Sequence, residues 1–126
     1  MEQIEDRRDY DRIETEHSVK IVEREGTEFP AIAADISLTG MQLLCDRPTA
    51  YRIAPKGHES TPDEEVEVHV RASLPMRDGS RAKVGVYCEL VKIRRVSEDE
   101  YRLGLRYRRF ENRSYDEIER WVDDWL

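Results

Sequence analysis

The chain has 126 residues, a formal charge of −7, and charged side chains at 39% against 38% apolar ones. That length supports one domain with one core, ten aromatic residues argue for a folded chain, and the acidic balance argues against a general nucleic-acid binder. No apolar run approaches the about 18 residues of a membrane span, and no leader pattern opens the chain, so it reads as a cytoplasmic protein without membrane insertion.

Residues 1–14 show no sustained period and read as an N-terminal arm with two strong apolar anchors, Tyr10 and Ile13. Arg7, Arg8 and Arg12 stand there among six acids (Glu2, Glu5, Asp6, Asp9, Asp11 and Glu14). Arginines so interleaved suit a few directed contacts rather than a grip along a polyanion. Residues 17–24 put Val19 and Ile21 on one face and predict a strand. Gly26 marks a turn, residues 28–36 return as a second strand, and Pro30 must sit where no ladder hydrogen bond is needed. After a turn at Thr39 and Gly40, residues 41–45 predict a third strand.

From 46 to 63, Pro48, Pro55, Gly57 and Pro62 break every period, so this segment reads as a long loop with at most a short element near 51–53. Val66, Val68, Val70, Ala72 and Leu74 then alternate with polar residues, the clearest strand in the chain. Asp78-Gly79 signals a hairpin. Residues 81–96 form a long strand with apolar residues on both sides, which predicts a bend at a bulge. Tyr101, Leu103, Leu105 and Tyr107 share the apolar face of a sixth strand, which makes the two tyrosines core.

The period changes at the end. Ser114 and Glu117 match a capping box, and Ile118, Trp121, Val122 and Trp125 follow at amphipathic helical spacing, predicting a helix over 113–126. Asp123 and Asp124 lie at its unfavourable, negative end. The fold class is therefore all-β with a terminal helix. Residues 15–126 make one domain, a six-stranded antiparallel barrel with the C-terminal α-helix packed across it, and closure removes the sheet edges.

Two stretches carry chemistry. Arg8-Asp9-Tyr10-Asp11-Arg12 sets two guanidinium groups four residues apart, with Arg7 as a third. Asp35-Ile36-Ser37-Leu38-Thr39-Gly40 sets a carboxylate and a hydroxyl ahead of a glycine. An arginine fork bonds a phosphate or the O6/N7 edge of guanine through paired hydrogen bonds. Strand alternation predicts Asp35 and Ser37 on one face, with Ile36 and Leu38 on the other. In order and across one hairpin, the two stretches resemble the paired signature of PilZ domains, Arg-x-x-x-Arg followed by Asp/Asn-x-Ser-x-x-Gly, and the resemblance runs from about residue 7 to the C-terminus.

The resemblance implies a PilZ-like barrel and a ligand-binding role for Arg7, Arg8, Arg12, Asp35, Ser37 and Gly40. It implies a single-domain receptor that binds the bacterial second messenger cyclic di-GMP, with the arm closing over the ligand, and relays the signal to an effector protein elsewhere. The other reading is a PilZ-like interaction module that binds no nucleotide, and after it a nucleic-acid-binding barrel. No DNA or RNA partner is expected. Asp9 and Asp11, between the arginines, depart from the apolar or aromatic residues frequent in that family and oppose an anionic ligand.

A second basic group, Lys92, Arg94, Arg95, Arg102, Arg106, Arg108 and Arg109, reads as an outward strand pair balanced by the acidic helix. Cys45 and Cys88 are isolated and read as buried free thiols; no metal site, cofactor or catalytic set can be assembled, so no enzyme is expected.

Overall fold

The structure, a computed structural model, describes residues 12–55 and 65–126. Six strands form one closed antiparallel barrel: β1 (Ile13–Val22), β2 (Glu28–Ile36), β3 (Gly40–Asp46), β4 (Glu67–Pro75), β5 (Arg81–Arg95) and β6 (Glu100–Phe110). Their order around the barrel is β1-β2-β3-β6-β5-β4, with β4 returning to β1. Inward positions hold small and branched residues such as Ala33, Leu43, Val70, Val86 and Leu103, all fully buried, so the interior is a packed core. Tyr101 and Tyr107 belong to that core, as their place on the apolar face of β6 predicts.

β1 begins at Ile13, four residues before the alternation of Val19 and Ile21 becomes legible. Pro30 pairs with Lys20 on one side, and β2 meets β3 only from Ile32 onward, so the missing N–H of proline falls outside the β2–β3 ladder.

Besides a register shift in β1 between Glu14 and His17, three bulges reset which side chains face out. In β2, Ala33 pairs with Leu43 and Asp35 with Gln42, leaving Ala34 as an extra residue. Unbroken alternation from Ala31 and Ala33 would turn Asp35 inward; the bulge sends Ile36 into the core instead and leaves Asp35 at the surface. In β5, Leu90 pairs with Leu105 and Lys92 with Gly104, so Val91 is extra and Ile93 becomes buried in place of Lys92. β6 carries the third at Arg108, between Tyr107 and Arg109.

A helix stands where the proline-rich segment reads as loop: α1 (Arg47–Ile53). Asp46 caps it, its Oδ1 accepting from Thr49 N at 2.9 Å, and Pro48 lies in the first turn, where a missing N–H costs nothing. Seven residues show too few turns for a period to emerge. Arg52 donates to both carboxylate oxygens of Glu23 at 2.8 and 3.0 Å, tying α1 to the turn that follows β1.

The last helix, α2 (Ser114–Trp125), packs mainly on β5 with Ile118, Trp121 and Val122 buried. Its capping box does not form. Asn112, at φ 51°, turns the chain so that the helix starts from Arg113, and Ser114 lies inside the first turn. Ser114 Oγ instead accepts Gly85 N–H at 2.8 Å and fastens the helix to β5. Asp124, unfavourable to the helix dipole, accepts Arg77 N–H at 2.7 Å. Trp121 and Trp125 both donate Nε1–H to Pro75 O, at 3.1 and 3.0 Å.

Candidate functional site

The Asp35–Gly40 connection is a tight turn built around Ser37. Ser37 N donates to Gly40 O at 2.9 Å, and Ser37 Oγ accepts N–H groups from Thr39 and Gly40, each at 3.2 Å. Its hydroxyl lies 3.1 Å from Gly40 O and 3.3 Å from Thr39 Oγ1. The expected alternation therefore stops at Ile36: Ser37 is only 1% exposed, buried together with Ile36 and Leu38, and its hydroxyl serves the backbone. Tyr107, opposite on β6, clamps the turn from beneath, donating its hydroxyl to Ser37 O and its N–H to Thr39 O, both at 3.0 Å. Complete burial raises the Tyr107 phenol well above its ordinary pKa, so it remains a neutral donor.

Gly40 is set by the neighbouring strand. A Cβ there would overlap the Leu105 carbonyl oxygen of β6. The glycine lets β3 start flush against β6, with Gly40 paired to Arg106.

On the rim above the turn, Arg12 Nη1 donates to Asp35 Oδ1 at 2.7 Å. The arginine side chain is 44% exposed and the aspartate 13%. Asp35 thus orients a guanidinium whose other N–H groups have no hydrogen-bond partner among the described residues. Arg7 and Arg8 lie outside the described residues.

Arg12, Thr39 and Gly40 line one end of a cleft of about 400 Å³ over the outer face of β3, β6 and the end of β5. The cleft also takes in Lys92, Arg94, Arg102 and Arg106, so of the described residues that line it five are cationic and none is acidic. Four members of the second basic group therefore share a wall with the first motif. In sequence they read as a plain solvated face, since no local pattern states that β6 lies beside β3. The one available signal was that Arg102, Gly104 and Arg106 share the outward face of the last strand. The rest of the group does pair with surface acids or backbone: Arg109 with Glu67 at 3.2 Å, Arg108 with Glu65 at 3.4 Å, and Arg95 Nε with Ser97 O at 3.1 Å.

Gly104 and the bulged Val91, 37% exposed, leave an open, partly apolar stretch within this cationic lining. Such a surface suits a flat anionic ligand, with guanidinium groups at the edges and a face without charge between them. Away from it, Cys45 and Cys88 are buried and their thiols are pushed up to about 12 by desolvation. No cluster of potential metal ligands occurs among the described residues.

A family model described as PilZ domain matches residues 6–124. Among solved structures, the inhibitor of motility MotI/DgrA of Bacillus subtilis superposes with a TM-score of 0.60 at 13% identity. That match covers 90% of this chain and 46% of the other, so the chain spans about half the length of that relative. The PilZ domain of CeSA from a cellulose-synthesizing bacterium superposes with a TM-score of 0.55 at 15% identity, over 90% of this chain and 95% of that one. No curated protein sequence matches the chain.

Proposed function

The chain belongs to the PilZ domain family, and on that premise we propose that it is a receptor that binds cyclic di-GMP in the cationic cleft and relays occupancy to a partner protein. The observation that carries the reading is the meeting of both motif halves at one end of the cleft, Arg12 held by Asp35 beside the Gly40 turn. Each half of cyclic di-GMP offers a phosphate and a guanine edge, and a guanidinium fork can satisfy either. Asp35 and Ser37 act mainly by building this end: Asp35 aims Arg12, and Ser37 closes the turn that sets β3 against β6. Arg7 and Arg8, outside the described residues, are assigned to the same ligand on the family signature alone. The role is that of a binding module, with no group assigned to bond making.

Isothermal titration with cyclic di-GMP, with GTP as the control, tests the reading. Arg12→Ala should weaken binding by about 1.5–3 kcal/mol, the scale of a hydrogen bond to a charged group. Loss of any distinction between the two nucleotides, or a double variant of Arg8 and Arg12 with unaltered affinity, would overturn it.

A further inference from the structure

The cleft continues past the motif. One end is set by Arg12, Gly40 and Arg106; the other by Arg94 and Arg102, which pair across the β5–β6 ladder. Arg102 and Arg106 are four residues apart on β6, about 13 Å along an extended strand. Gly104 between them contributes no side chain, so the floor stays open.

Two features at the far end call for an acceptor. Arg102 Nη1 donates to Gln42 Oε1 at 2.7 Å, while its buried Nε–H has no hydrogen-bond partner among the described residues. Buried donors are normally satisfied. Secondly, Arg94 and Lys92 have no ion-pair or side-chain hydrogen-bond partner among the described residues. Exposed arginines elsewhere, such as Arg71, Arg109 and Arg120, each face a carboxylate. Lys92 and Arg94 thus bring positive charge that is unpaired among the described residues to the part of the cleft beyond the motif.

Resting on the receptor reading above, we propose that Arg94 and Arg102 form a second recognition end of the cleft. They hold the half of the cyclic dinucleotide that lies away from Arg12, through a phosphate or a guanine O6/N7 edge. Both groups present the paired acceptors that a guanidinium fork fits. Lys92 adds charge without geometry, and Val91 supplies the apolar wall between the two ends.

Titrations with cyclic di-GMP on the whole chain separate the possibilities. Arg94→Ala and Arg102→Met should each weaken binding roughly tenfold, and the pair more, as loss of a charge-assisted hydrogen bond predicts. Arg102→Lys should restore only part of the affinity, since the point charge returns without the fork. Arg95→Ala removes the same charge from the neighbouring position outside the cleft and should leave affinity within about twofold. Arg94 is exposed and its replacement spares the core, so that variant decides the matter if Arg102→Met melts early. Wild-type affinity in a folded Arg94/Arg102 double variant, with Arg12→Ala still damaging, would sink this proposal alone. So would an Arg95→Ala loss equal to that of Arg94→Ala, which would mark a general field effect. No binding of cyclic di-GMP by the unaltered chain would sink the receptor reading and this proposal with it.

Discussion

Gly40, at the edge of the cleft, and Ser37, beneath it, are motif residues that work by shaping the turn. Adding one methyl group at Gly40 drives it into the Leu105 carbonyl oxygen, a backbone atom that can move only with its strand. Gly40→Ala should cost about 1–3 kcal/mol, the usual scale of overpacking, read as a lower midpoint in urea, together with weaker ligand binding because the cleft wall shifts. Tyr107, which no motif reading selects, supports the same turn. Tyr107→Phe leaves Ser37 O without its buried donor and should destabilise by about 1–3 kcal/mol; an unchanged urea midpoint would show that the clamp contributes nothing. At the opposite extreme of reactivity, Cys45 and Cys88, with thiols near 12, should resist alkylation at pH 8 until the protein unfolds. Modification of the native protein at the rate of a free thiol would contradict the burial.

At the scale of elements, the joint between β6 and α2 is held by polar contacts. Arg71 bonds both oxygens of Glu111, at 3.1 and 3.0 Å, and His69 Nε2 lies 2.8 Å from Glu111 Oε1. These partners, Arg71 first, pull the Glu111 carboxyl down to about 2 from an ordinary 4.5. A depressed carboxyl contributes stability that is fully present above its unfolded value. That stability is lost as pH falls through the folded value. The clamp should therefore weaken between roughly pH 4.5 and pH 2. Melting temperatures across that window should fall more steeply for the unaltered protein than for Glu111→Gln. Parallel curves would show that the carboxylate is not linked to folding.

Across the whole molecule, a net charge of −7 coexists with a cleft whose described lining holds five cations and no acid. The local field, not the sum, governs which ligand approaches. A ligand with two phosphates displaces few counterions, so affinity for cyclic di-GMP should fall shallowly with salt. A protein neutralising six or more phosphates of a nucleic acid loses affinity far more steeply. Titrations between low and physiological salt distinguish the two. A steep slope, with oligonucleotides binding more tightly than the dinucleotide, would return the cleft to the nucleic-acid reading.

Period two in residues 66–74 and 101–107, turn residues between the strands, and helical spacing from Ile118 to Trp125 by themselves determined a barrel with a terminal helix, because burial writes its period locally. Both motif halves were legible for the same reason, as short runs of fixed spacing. Helix α1 was not, since seven residues, about two turns, hold no period. Nor could alternation place Asp35 and Ser37: one extra residue at Ala34 reverses the inward and outward phase, and ladder pairing alone reveals it. Only the tertiary structure decided that Arg94, Arg102 and Arg106 join Arg12. Barrel closure lays β6 against β3 across some sixty residues of sequence, and a shared electrostatic surface follows from that neighbourhood rather than from any segment of the chain.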